Sequence, residues 1–82
     1  MSDSLNLLVD AVCRVKGILP ASVTATMPIE DLLMDSLDEV EVMMFLEDEL
    51  GIEIDQAQIE SCVTVGDFAA VVDRLIARKA NG

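Results

Sequence analysis

The hydroxyl of Ser36 stands among carboxylates, with Asp35 before it and Asp38 and Glu39 just after. A serine nucleophile needs a base to take its proton and donors to hold an oxyanion. No Lys, Arg or His lies near Ser36 in sequence, and the chain has no histidine at all. Asp35 and Asp38 are poor bases at neutral pH, and acidic surroundings oppose a developing negative charge. Ser36 therefore reads either as a plain first-turn serine or as a hydroxyl on which another protein acts. It is not equipped to catalyse. Without histidine, Ser-His-Asp and Cys-His arrangements and the usual His-bearing zinc sites are excluded.

Cys13 and Cys62 are too few for a disulfide scaffold or a structural zinc site. Acidic neighbours disfavour a thiolate at Cys62, so both cysteines read as reduced core residues on helices of a cytosolic protein. The carboxylates Glu47, Asp48, Glu49 and Glu53, or Asp35, Asp38 and Glu39, can gather Mg²⁺ or Ca²⁺ diffusely. The calcium-loop pattern is absent, and no specific metal site is expected. No Gly-rich phosphate loop is present.

The serine's setting is acidic on a larger scale. Sixteen Asp/Glu oppose five Lys/Arg, for a net charge of −11, and from Gly17 to Asp73 there is no base. Such a polyanionic middle repels nucleic acid and anionic membrane and attracts basic protein surfaces. With 52% apolar residues the chain still has the material for a core. That core must be aliphatic and Met-rich, because Phe45 and Phe68 are the only aromatic residues. No signal-type segment opens the chain, and the run Val42 to Leu46 is too short to span a bilayer, which predicts a cytoplasmic, monomeric protein.

The elements that must position Ser36 follow from periodicity. Asp35 can cap a helix over 36–50, with Asp38 in a capping-box-like place, acids in the first turn and Gly51 at the end. Leu5, Leu8, Val9, Val12 and Cys13 form one face of a first helix over about 3–16, capped by Ser2 or Ser4 and ended by Lys16 and Gly17. Residues 18–34 form a long loop through Pro20 and Pro28. Ile18, Leu19, Ile29, Leu32 and Leu33 are its expected pins, with a helical turn around Ile29 to Leu33. Asp55 caps a short helix over 56–61. Thr64 and Asp67 open a last helix over 65–79, whose face is Phe68, Val71, Val72, Leu75 and Ile76 and whose end should fray. The expected fold is all-α: one domain over 1–82, a small four-helix bundle with three long helices, a short third one and a long first loop.

The helix after Ser36 has two apolar stripes where a surface helix has one. Val42, Met43, Leu46 and Leu50 share one side. Leu37, Val40 and Met44 lie nearly opposite, rimmed by Glu41, Glu47 and Asp48. Either a small bundle buries both stripes, or the second is left for a partner or ligand.

Asp35-Ser36-Leu37, followed by Asp38, Glu39, Val40, Glu41, Met44, Leu46, Glu47 and Leu50, resembles the acyl carrier proteins of fatty-acid and polyketide synthesis. The likeness extends to the long first loop, Ile54 before the short helix and the Thr64-Val65 start of the last one. It implies a non-catalytic carrier. A separate Mg²⁺-dependent transferase would move 4′-phosphopantetheine from coenzyme A to Ser36, beside Asp35 and Leu37, and the arm's thiol would hold acyl groups as thioesters. The resemblance further implies that Leu37, Asp38, Val40, Glu41, Met44, Glu47 and Asp48 meet acyl-processing enzymes bearing basic docking patches. Met43, Leu46, Ile54, Ile59 and Cys62 would line a cavity for the acyl chain.

The chain departs from the family's pattern at several places. Leu33, then Met34, stand where the family usually has glycine two residues before the aspartate. Phe45 replaces a frequent small residue and Cys62 a branched aliphatic, and the last helix lacks its usual aromatic. These departures suggest a specialised carrier. Two alternatives stand beside it: an aminoacyl or peptidyl carrier, whose usual motif Leu33-Met34-Asp35 does not fit, and an acidic helical adaptor with no prosthetic group.

Overall fold

The structure, a computed structural model, describes residues 3–81. Its helices are α1 (Asp3–Lys16), α2 (Ser36–Leu50), α3 (Gln56–Glu60) and α4 (Val65–Asn81), and α1 packs against both α2 and α4. This is the all-α bundle expected, with a short third helix. Because α1 begins at Asp3, Ser4 lies inside its first turn and is buried rather than capping it, and Ser2 falls outside the described residues. The last helix continues to Asn81 instead of ending near residue 79, while Gly82 is outside the described residues.

The core forms where the apolar stripes meet. Leu8, Ala11 and Val12 of α1, Val42 and Leu46 of α2, and Val65, Phe68 and Val72 of α4 are almost wholly buried. Each of these Leu, Val and Phe side chains contributes about 1.5–3 kcal/mol relative to exposure. Arg14 of α1 adds a further link to α2, its guanidinium lying 5.3 Å from the centre of the Phe45 ring.

The first loop is ordered by two single-turn helices, Pro20–Ser22 and Ile29–Leu32, and by a clasp to the α3–α4 link. The Ile29 N–H donates to Val63 O at 2.8 Å, Val65 N–H to Met27 O at 2.9 Å, and Gly66 N–H to Ala25 O at 2.7 Å. The last two donors are first-turn amides of α4 that no helical carbonyl can satisfy, so the loop supplies what the helix start lacks. Val23 and Leu32 are the loop's buried pins, with Ile18, Met27 and Ile29 partly buried. Leu19 and Leu33, expected among the pins, are instead 73% and 80% exposed. At Leu33 the backbone turns left-handed (φ 55°, ψ 36°), and the side chain leaves the core.

Candidate functional site

Ser36 is the first residue of α2, and the cap in front of it is complete. Asp35 is extended (φ −86°, ψ −178°), which sets its carboxylate across the helix start. The Asp38 N–H donates to Asp35 Oδ1 at 2.8 Å, and the Asp35 N–H donates back to Asp38 Oδ2 at 3.3 Å. Ser36 is exposed, and among the described residues its hydroxyl takes part in no side-chain hydrogen bond. The flanking aspartates do the capping, and the serine oxygen is left over.

The expectation that no base stands near Ser36 holds along the sequence but not in space. Lys16, at the end of α1, donates to the Leu33 carbonyl at 3.1 Å and pairs with Asp38 Oδ2 at 3.3 Å. Its ammonium is thus engaged on both sides of the serine. No local spacing announces a contact across 22 residues.

Beyond Ser36 the two stripes of α2 part company. Val42 and Leu46 are buried, with Met43 and Leu50 partly so. Leu37, Val40 and Met44 remain 65%, 40% and 56% exposed. Glu41 and Asp48 are exposed beside them. Two of the acids expected to meet partners have inward duties. Asp38 is the reciprocal cap, and the partly buried Glu47 accepts from the Ile54 N–H at 2.9 Å, tying α2 to the link before α3. The helix ends at Gly51 in the left-handed region (φ 63°), where Lys79 of α4 donates to Leu50 O at 3.2 Å.

A groove of about 790 Å³ runs from Asp35 and Glu39 at the start of α2, between Pro28–Met34 and α3, to Ile59, Cys62 and Val63. Of the five residues expected to line an acyl cavity, Ile59 and Cys62 border this groove. Met43 and Leu46 do not, because they pack into the closed core, and Ile54 borders a separate hollow with Glu53, Asp55 and Leu75. The interior void between α1, Ile29–Leu32 and α4 is only about 10 Å³, so the packed core offers no ready-made chamber. Leu33, Met34 and Val63, missed as lining residues, are on the groove's rim. The signal that pointed to Leu33 was the glycine usual at its place, which suits a left-handed turn.

Cys62 follows α3 rather than lying on it, and its thiol donates to Gln58 O at 3.2 Å. Burial, reinforced by Asp67, raises its pKa above the ordinary thiol value. Cys13 is raised as well, by burial and then by Asp10. Both stay neutral thiols near neutral pH, which suits packing rather than nucleophilic chemistry. At the far side of the clasp, Asp67 accepts from the Thr64 N–H at 3.0 Å and the Val63 N–H at 3.1 Å, and its own N–H donates to Thr64 Oγ1. Those backbone donors, Thr64 first, hold the Asp67 carboxyl below its ordinary value. Among the described residues no group of three or more His, Cys, Asp or Glu converges to hold a metal ion, and no helix is long and apolar enough to cross a membrane.

Residues 6–72 match the family described as "Phosphopantetheine attachment site". The chain is 49% identical over 51 residues to an "Acyl carrier protein" of Saccharopolyspora erythraea, covering 62% of this chain and 54% of that one. It is 37% identical over 59 residues to "Acyl carrier protein 3, chloroplastic" of Hordeum vulgare, covering 72% and 45% of the two chains. With "Acyl carrier protein 2, chloroplastic" of Arabidopsis thaliana it shares 41% identity over 58 residues, covering 71% and 43%. The chain spans about half the length of the curated relatives it matches.

Proposed function

Because the chain belongs to the phosphopantetheine attachment-site family, we propose that it carries acyl intermediates as thioesters on a 4′-phosphopantetheine arm esterified to Ser36. The observation that carries this reading is the Ser36 hydroxyl itself, exposed at the head of α2 and taken up by none of the caps around it. The residues present fit such an arm. The hydroxyl is open, the first-turn amides of Ser36 and Leu37 have no helical acceptor and suit a phosphate oxygen, and the groove beside Asp35 gives an extended chain somewhere to lie. When attached, the arm supplies the thiol on which acyl groups ride.

The chain's own residues hold and present; they do not catalyse. Asp35 and Asp38 fix the serine's turn. Lys16 is occupied by Leu33 O and Asp38, so no free base stands ready to activate the hydroxyl, and a phosphopantetheinyl transferase must do so. Leu37, Val40 and Met44, rimmed by Glu41 and Asp48, form the face for acyl-processing enzymes with basic docking patches. Charge speeds such encounters while leaving affinity modest, which suits a shuttle that must let go. Two free cysteines, Cys13 buried and Cys62 partly so, suit work in the cytoplasm.

Intact-mass measurement after incubation with coenzyme A and a broad-specificity transferase tests the reading. The wild-type chain should gain the mass of one arm and Ser36→Ala none. A wild-type chain that gains nothing would leave the acidic adaptor as the better account. Amino acids rather than acyl groups on the arm recovered from cells would favour an aminoacyl carrier.

A further inference from the structure

In so acidic a setting a cation that reaches across from another helix is conspicuous. Lys16 reaches the serine's surroundings from the end of α1, placing Nζ 3.1 Å from Leu33 O and 3.3 Å from Asp38 Oδ2. Its side chain and that of Asp38 are only 25% and 23% exposed, so water screens the pair incompletely. The two acceptors lie on either side of Ser36. One belongs to the turn that leads into α2, and the other closes the helix cap.

The turn needs holding. Leu33 has φ 55° and ψ 36°, the left-handed region that a residue with a Cβ seldom adopts. Burial does not hold it there, because the side chain is 80% exposed. The hydrogen bonds that hold this residue are its N–H to Glu30 O at 3.1 Å and its carbonyl to the Lys16 ammonium.

We propose that Lys16 is a positioning residue for arm attachment: it holds the Leu33 turn in the arrangement that presents the Ser36 hydroxyl. This rests on the reading of Ser36 as the attachment point. Without the ammonium, Leu33 relaxes toward right-handed or extended backbone, and a smaller share of molecules presents the serine. A transferase that engages only the presenting form sees its apparent affinity reduced by that share. The reaction within the bound complex is untouched, so KM for the carrier rises while kcat holds.

The experiment compares the wild-type chain, Lys16→Met, Lys16→Arg, Leu33→Gly and the Lys16→Met/Leu33→Gly double variant as substrates of a phosphopantetheinyl transferase. Amide hydrogen exchange over residues 33–37 is read in parallel. Methionine keeps an apolar stem and removes the charge, and Lys16→Gln replaces it if circular dichroism shows Lys16→Met unfolded. Lys16→Met should raise KM about three- to tenfold at unchanged kcat and speed exchange in the turn. Lys16→Arg should restore most of the KM. In the Leu33→Gly background, where glycine takes the left-handed turn freely, removing Lys16 should change KM by less than about twofold. Wild-type KM and exchange in Lys16→Met would overturn the inference. So would a KM defect that persists undiminished in the glycine background, since Lys16 would then act by a route other than the Leu33 turn. Failure of the wild-type chain to take up any arm would instead strike the attachment reading and take this inference with it.

Discussion

Replacing Gly66 by alanine should reverse the usual sign of that substitution in a helix. Inside a helix alanine is ordinarily better than glycine by about 0.5–1 kcal/mol. Here a Cβ on Gly66 would lie 2.9 Å from the Ala25 carbonyl oxygen and 3.6 Å from Ala25 Cβ. The nearest obstacle is backbone, held by the 2.7 Å hydrogen bond from Gly66 N–H, so it cannot swing aside as a side-chain tip would. The loop must retreat, lengthening that bond and loading the neighbouring Val65–Met27 and Ile29–Val63 bonds. Overpacking of this kind costs about 1–3 kcal/mol, and each weakened hydrogen bond about 0.5–1.5 kcal/mol. Set against the helix preference, the net expectation is a loss of about 1–2 kcal/mol. For a domain of this size that lowers Tm by roughly 4–16 °C. Calorimetry or thermal circular dichroism reads it directly. An unchanged or higher Tm for Gly66→Ala would refute the claim that the clasp is tight at this point.

Glu41→Lys should slow reaction with partner enzymes about tenfold at low salt and leave Tm nearly unchanged, because Glu41 is exposed and its side chain makes no hydrogen bond or ion pair among the described residues; rates that ignore both the charge and the salt would contradict the docking face. Glu47→Lys should instead lower stability by about 1–2 kcal/mol, since it removes the acceptor of the Ile54 N–H, and chemical denaturation distinguishes the two. Asp67 contributes stability that is complete above its ordinary value of 3.8 and is lost as pH falls through its lower folded value. Asp67→Asn should therefore flatten the acid limb of the stability profile, and an unaltered limb would count against the clasp's carboxylate. Millimolar Mg²⁺ should raise Tm by about 5 °C by relieving self-repulsion in a chain of net charge −11; a melting curve indifferent to Mg²⁺ or Ca²⁺ would say the acids are too dispersed to matter.

What was legible in the chain was what depends on near neighbours. The caps of α2 and α4 join residues three apart, and Asp35–Asp38 and Thr64–Asp67 both form, while Asp55 caps α3 as read and gains a reciprocal partner in Gln58 that was not foreseen. The divided wheel of α2 correctly separated Val42 and Leu46 from Leu37, Val40 and Met44, but could not say which stripe the bundle would bury. Contacts far apart along the chain left no such trace. Lys16 looked like a dipole partner for its own helix and proved to be a tie to the next one. Glu47 looked like rim and turned out to hold Ile54. Met43 and Leu46 were placed along a cavity by the resemblance alone, and in the fold they pack against the core, where aliphatic side chains leave little open space. Leu33 gave no backbone hint of its own, since nothing about a leucine announces a left-handed turn.

The clasp between residues 25–29 and 63–66 also dictates an order of assembly. Its bonds join segments almost half the chain apart, so they gain nothing until the intervening helices have shortened the path between them. The helices should therefore consolidate first and the clasp should latch last. By the same logic it is the first to let go under mild stress. The amides of Ile29, Val65 and Gly66 then trade their protons with solvent as one unit, sooner than those deep in α1, and the wall of the groove loosens with them.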